Sequence, residues 1–349
     1  MEWVRGDLLG HGSFGTVNLG IPKSQSLQFP PLMAVKTCGS SHSALLDHEK
    51  SILQRLKDCP QIIECFGGDF SFENGEKLYN LFLEYAMGGS LADKLKNSGH
   101  RSLPESEVRR HTESILKGLQ CIHENGFVHC DLKLQNVLLC QNDVAKIADF
   151  GLAKKSGEKI VGFELRGTPM YLPPETVVAG EQEAAADVWA LGCLVAEMVA
   201  GTPPWRCSAE GNVCGLLMRI GFGEEVPEIP GKLSEEGKDF LGKCFVKDPR
   251  KRWTAEMLLN HPFVVDHGDD HDHYNTRVVA LEETCDATSS SSYSPRGPFD
   301  FLDSELVQSS CSFITPLPSP EYSPAERLRR LVTEERPDWS VTDSWVTVR

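Results

Sequence analysis

Apolar and polar positions change their period near Gly88-Gly89. Before that point short apolar runs are punctuated by turn residues. Leu8 to Leu19 reads as strand, Gly-rich turn, strand, Met33-Ala34-Val35-Lys36-Thr37 as a short apolar strand, and Tyr79 to Tyr85 as a buried strand. One exception is Ser43 to Leu56, where Leu45, Leu46, Ile52, Leu53 and Leu56 recur near helical spacing and predict an amphipathic helix. After the glycines helices dominate. Ser102-Leu103-Pro104-Glu105 predicts a capping box with proline in the first turn. The helix that follows carries Val108, Ile115, Leu119 and Ile122 on one side and stops at Asn125-Gly126. Further helices are predicted at Ala184 to Ala200, around Leu216-Met218-Ile220, and from Ser234 to Phe245. A β-rich N-terminal lobe (about 1–86) followed by a helical lobe (about 87–265) is the expected α+β layout.

Past Val265 the pattern dissolves. His267 to His273 is polar and charged, Ser289 to Ser292 is a serine run, and Pro recurs at 295, 298, 316, 318, 320 and 324. Residues 266–349 are therefore expected to be a largely disordered acidic Ser/Pro tail, with one short helix offered at Ala325 to Glu335. Charge supports the division. The 349 residues carry a net charge of −15, and 264–349 hold 16 acids against 7 Lys and Arg. Such acidity excludes the basic footprint of a nucleic-acid binder. No apolar run reaches the ~18 residues of a membrane helix, and the N-terminus has no apolar stretch of a secretory signal, so no membrane role is expected. The 12 Cys contain no C-x-x-C pair, which predicts reduced thiols in a cytoplasmic or nuclear protein.

Candidate chemistry lies in the first 265 residues. Gly10-His11-Gly12-Ser13-Phe14-Gly15-Thr16-Val17 fits G-x-G-x-x-G-x-V, and glycines let backbone N–H groups approach phosphate. A tight hairpin turn or a dinucleotide fingerprint also fits, but the latter needs a helix next, whereas Val17-Asn18-Leu19 continues as strand. Lys36 sits in an apolar strand and Glu49, on the following helix, is a plausible partner that would hold it against phosphates. In His129-Cys130-Asp131-Leu132-Lys133-Leu134-Gln135-Asn136, Asp131 can accept a hydroxyl proton, Asn136 can ligate metal, and Lys133 adds positive charge. Asp149 of Asp149-Phe150-Gly151 is a hard-oxygen ligand suited to Mg²⁺, and Gly167-Thr168-Pro169 to Pro174-Glu175 closes the segment.

In order and spacing these motifs resemble the eukaryotic protein kinase family along residues 1–265. The resemblance implies a bilobal fold, ATP and Mg²⁺ as cofactors, and transfer of phosphate to protein. It implies Asp131, Lys133, Lys36 and Glu49 as catalytic residues and Asn136 and Asp149 as metal ligands. The nucleotide would meet Leu9, Gly10, His11, Gly12, Ser13, Phe14, Gly15, Val17, Ala34, Lys36 and Leu138. Leu83 would be the gatekeeper and Glu84 to Ala86 the hinge. Asp187 would support the catalytic loop, and Arg252 would pair with Glu175. Lys133 two residues after Asp131, with Thr168 before Pro169, is similar to the serine/threonine pattern. The Cys-Asp-Leu-Lys-Leu-Gln-Asn loop, Gly-Thr-Pro-Met-Tyr and Trp253 to Val264 resemble plant MEKK-type mitogen-activated protein kinase kinase kinases. MAP kinase kinases in a stress signalling cascade would then be the substrates.

One departure bears on regulation. Cys130 stands where the family usually has an arginine that binds an activation-loop phosphate, and a thiol cannot make that pair. Activity independent of that phosphate is therefore expected. In the tail Ser294, Thr315, Ser319 and Ser323 each precede Pro, Arg327 to Val332 is a basic-apolar stretch offered as a docking peptide for cascade partners, and His267 to His273 offers weak metal ligands. A plain solvated tail explains the same residues. The rival function classes are a pseudokinase scaffold, which the presence of Lys36, Asp131 and Asp149 argues against, and a regulatory protein acting through its tail.

Overall fold

Strands β1 (Trp3–Gly12), β2 (Gly15–Pro22), β3 (Met33–Gly39), β4 (Cys65–Glu73) and β5 (Glu76–Glu84) form one antiparallel sheet ordered β1-β2-β3-β5-β4, with helix α1 (Ser43–Arg55) against it. The computed structural model describes residues 2–12, 15–23, 29–99, 101–158, 165–205 and 213–265. The tail features from His267 onward therefore lie outside the described residues, as do Ser13 and Phe14 of the Gly-rich turn.

Register decides what each sheet face carries. Residues directly opposite each other, or two apart on one strand, share a face. Val17 lies opposite Lys36, Lys36 opposite Leu81, and Ala34 opposite Leu83. All five therefore share one face, which looks toward α1 and the C-terminal lobe. On the other face Met33, Val35 and Phe82 bury against Trp3, Phe29 and Phe66. Arg5 spans that face, binding both Glu73 oxygens at 2.9 and 2.8 Å, Thr37 Oγ1 at 2.9 Å and Asn80 Oδ1 at 3.0 Å.

The C-terminal lobe is helical, with small two-stranded sheets beneath the first lobe. Its elements run α2 (Leu91–Asn97), α3 (Glu105–Glu124), β6 (Phe127–Val128), β7 (Val137–Leu139), β8 (Ala145–Ile147), β9 (Lys154–Lys155), α4 (Pro174–Ala179), α5 (Ala184–Ala200), α6 (Val213–Phe222), α7 (Glu235–Cys244), α8 (Ala255–Leu259) and α9 (Pro262–Val265). Helix α5 is apolar on all sides, so it is buried on all sides: Trp189, Leu191, Cys193, Leu194 and Val195 expose nothing. Among the described residues no helix is long and apolar enough to cross a membrane.

The capping box expected at Ser102 is not there. Helix α3 takes Pro104 as its N-cap without a side-chain bond. Glu105 turns away to accept from the Ser234 backbone N–H at 2.9 Å and its hydroxyl at 2.6 Å, and pairs with Arg109. A long-range contact at the start of α7 thus wins over local capping. The described capping box is at α2, where Ser90 and Asp93 satisfy each other's backbone N–H groups.

Candidate active site

The loop between β6 and β7 is pinned from below and within. Asp187, in the first turn of α5, accepts the N–H of His129 at 2.8 Å and of Cys130 at 3.0 Å, as the resemblance implied. His123 meets the same carboxylate at 2.9 Å. Burial would raise Asp187, but the His123 bond and the loop amides hold it below the usual carboxylate range. The fully buried His129 contacts the Ala148 carbonyl through Nε2 at 3.1 Å, which needs a proton there. Its Nδ1 then accepts the Asp131 N–H at 3.3 Å, which fixes the tautomer. With its ring 4.9 Å from Phe150, His129 is a structural strut.

Cys130 adopts φ 68°, a left-handed conformation that costs a non-glycine residue ~1–3 kcal/mol and has to be held by its surroundings. The Asp187 bonds supply that hold. Gly167 packs against the same turn at φ 100°, and a Cβ there would stand 2.4 Å from the Cys130 carbonyl oxygen. The thiol is buried, and burial with the charge of Asp187 pushes it far above the ordinary thiol range.

At the loop's outlet three side chains close a triangle. The Thr168 hydroxyl donates to Asp131 Oδ1 at 2.7 Å, Lys133 Nζ lies 2.8 Å from Asp131 Oδ2, and Lys133 donates to Thr168 Oγ1 at 3.1 Å. Asn136 Nδ2 donates to the Asp131 carbonyl at 2.8 Å and to Oδ2 at 3.1 Å. Its amide nitrogen is thereby committed, which leaves its side-chain oxygen available to a cation. The Ala148 N–H reaches the Asn136 carbonyl at 2.8 Å, bringing Asp149 alongside.

Lys36 joins the lobes. Its ammonium lies 2.7 Å from Glu49 Oε2 and 2.8 Å from Asp149 Oδ1. Burial alone would favour neutral lysine, but the two carboxylates outweigh it and raise Lys36 well above its usual range. Burial would likewise raise Asp149, and the Lys36 charge holds it below the usual carboxylate range, ionised for a cation. Two hard oxygens, from Asn136 and Asp149, suit Mg²⁺ rather than a softer metal. Gly15 closes the roof: at φ 147° it lies so near β3 that a Cβ would sit 2.0 Å from the Thr37 carbonyl oxygen. At the rear, Leu83 is buried beside Ala34, and Glu84 pairs with Lys146 at 2.8 Å. The Gly88 N–H and Leu139 carbonyl bond at 2.9 Å, carrying the hinge strand onto β7 beside Leu138. Ala86 packs against the same core, while His11 and Gly12 are exposed at the rim and Leu9 and Gly10 precede them on β1.

Three further features were not read from the sequence. Lys154 is buried against Glu183, Gln182 binds the Arg166 carbonyl, and the Tyr171 hydroxyl donates to Glu197. Only Glu197, an acid inside the apolar run Val195 to Val199, carried a signal in the sequence. The expected Arg252–Glu175 pair is present, at 2.6 and 3.0 Å.

Comparison with known proteins agrees with this geometry. The profile of the protein kinase domain matches residues 3–264. Mitogen-activated protein kinase kinase kinase 20 of Arabidopsis thaliana is 50% identical over 355 residues, covering 100% of both chains. Mitogen-activated protein kinase kinase kinases 17 and 18 of the same plant are each 41% identical, covering 76% of this chain and 70% and 78% of theirs. A kinase-domain match over three quarters of the chain and a relative aligned end to end place this chain in the protein kinase family, as an ATP- and Mg²⁺-dependent serine/threonine kinase of the mitogen-activated protein kinase kinase kinase kind.

Proposed function

We propose that this kinase phosphorylates serine and threonine in MAP kinase kinases, with Asp131 as the group that accepts the proton of the attacking hydroxyl. The observation that carries this is the Thr168 hydroxyl, held 2.7 Å from Asp131 and 3.1 Å from Lys133. An aliphatic hydroxyl fits between carboxylate and ammonium, which is what a seryl or threonyl acceptor requires. Lys133 balances charge on the transferring phosphoryl group, and Lys36, oriented by Glu49, takes the α- and β-phosphates. Asn136 and Asp149 would hold Mg²⁺, which would supply positive charge against the phosphate oxygens. Val17, Ala34 and Leu138 would sandwich the adenine ring, Leu83 closes the rear, and Glu84 to Ala86 offer backbone groups to its edge. Leu9, Gly10, His11, Gly12 and Gly15 would form the lid, and Ser13 and Phe14 of the same motif lie outside the described residues.

The catalytic unit is read as residues 1–265 and 266–349 as a tail that contacts other cascade members, in a cytoplasmic or nuclear stress response. Cys130 further supports activity without an activation-loop phosphate. The test is phosphate transfer to a panel of catalytically dead MAP kinase kinases, with Asp131→Asn and Lys36→Met as controls. Labelling of at least one is expected. Absence of label on all of them overturns the substrate class, and full activity in either control overturns the roles. Phosphatase-treated enzyme that is inert until segment 152–172 is rephosphorylated overturns the Cys130 reading.

A further inference from the structure

Lys154 is a lysine with almost no exposure, at 2%, directly below Cys130 in the activation segment. A buried ammonium needs an anion. Here the anion comes from the N-terminal boundary of α5. Glu183 Oε1 lies 3.0 Å from Lys154 Nζ, and the same carboxylate accepts the Ser156 hydroxyl at 2.7 Å and the Gly157 N–H at 3.1 Å on each oxygen. Lys154 adds bonds to the Lys155 and Glu158 carbonyls. Glu183 thus gathers Lys154, Ser156 and Gly157 onto one carboxylate.

The neighbouring residue holds the other side of the segment. Gln182, 3% exposed, donates to the Arg166 carbonyl at 2.9 Å. Two residues beyond Arg166, Thr168 is bonded to Asp131 and Lys133. One turn into α5, Asp187 holds the catalytic loop itself. The same end of one helix therefore fixes the start of the activation segment, its return, and the loop that carries Asp131.

We infer that Glu183 is a positioning residue whose fixed carboxylate gives the activation segment the anionic anchor that a loop phosphate supplies in kinases bearing arginine at the Cys130 position. Three independent contacts converge on it, from a charged side chain, a hydroxyl and a backbone N–H. Burial opposes its charge, but Ser156, Lys154 and Gly157 hold Glu183 below the usual carboxylate range, so the anchor is ionised at neutral pH. This deepens the proposal that the enzyme works without a loop phosphate, and rests on it. Residues 154–158 and 166–168, held in this way, lie on the side of Asp131 from which a protein substrate would come, whereas ATP would be met by Lys36 and the N-terminal sheet. Loss of the anchor should therefore act on protein substrate and spare nucleotide.

The test uses the full chain, with and without phosphatase treatment, and measures kcat and KM for ATP and for a catalytically dead MAP kinase kinase. Glu183→Gln keeps the shape and removes the charge. It is expected to lower kcat/KM for the protein at least tenfold, leave KM for ATP within twofold, and be partly rescued by Glu183→Asp. Should Glu183→Gln fail to fold, Ser156→Glu, at an exposed position, sets a second carboxylate against Glu183, and the same loss for protein substrate is expected. Protein kcat/KM within twofold of wild type in the folded variant overturns the inference. Phosphatase-treated wild type that is itself inert overturns the underlying phosphate-independence, a separate result read in the same assay.

Discussion

The N–H of Cys130 donates to Asp187 across 57 positions of sequence, and that bond holds a non-glycine residue at φ 68° one position before Asp131. Asp187→Asn would place an NH₂ group where one of two backbone donors now finds an acceptor. An unpaired buried donor costs ~1–3 kcal/mol, on top of the strain no longer held. The expected result is a lower thermal midpoint and kcat reduced at least a hundredfold, with nucleotide affinity retained. Calorimetry and single-turnover kinetics check both.

Glu49→Gln tests how far Lys36 depends on α1. Lys36 keeps Asp149 at 2.8 Å in this variant but loses its charged partner on the helix. The ammonium is then drawn toward Asp149, away from nucleotide phosphates. KM for ATP is expected to rise and kcat to fall by one to two orders of magnitude. Steady-state kinetics with varied ATP and Mg²⁺ would show it, and an unchanged KM would count against the role of the pair.

Gly167→Ala should be among the most damaging single-methyl changes. The new Cβ meets the Cys130 carbonyl at 2.4 Å, and φ 100° is already unfavourable for alanine. The Asp187-bonded Cys130 backbone on one side and the Leu172 side chain at 3.3 Å on the other leave little room to shift. A stability loss on the order of 2 kcal/mol or more is expected from the strain, with activity falling in parallel. Denaturant unfolding measures the first.

Glu197 gives a pH signature. Burial raises its carboxyl to about 7, partly offset by the Tyr171 hydroxyl. Folded Glu197 therefore binds its proton more tightly than the unfolded chain does. Its contribution to stability is fully present below pH ~4.5 and is lost as pH rises toward 7, by about 3 kcal/mol in total. Glu197→Gln lacks this group and still accepts from Tyr171. The variant should match wild type under acidic conditions and gain on it up to pH 8, as urea titrations at several pH values would read. A difference independent of pH would rule out this titration.

What was legible in the sequence was whatever is local. The β-to-helix change at Gly88-Gly89, the α1 stripe and the Lys36, Asp131 and Asp149 motifs depend on neighbours a few residues away, and the structure brings those three residues to one cleft. The Asp187 and Arg252 contacts were reachable only through family resemblance. Long-range competition hid the rest. Glu105 abandoned its expected cap for Ser234, 129 positions away, and Arg5 found Asn80 at a separation of 75. Glu183 looked like an ordinary acid before an apolar helix, because nothing in its own segment announces the lysine it neutralises.

The burial of Cys130 has a consequence for chemical probes. A cysteine one position from Asp131 invites the design of an electrophilic inhibitor that would bond to it. Bond formation needs the thiolate, and this thiol is held protonated, 6% exposed, and bonded to the Val128 carbonyl at 3.6 Å. Cys140, beside the hinge, is also pushed up, to about 12. Selective ligands for this cleft must therefore gain their residence time from non-covalent shape, at Leu83 and along the Val17–Ala34 roof, rather than from a cysteine warhead.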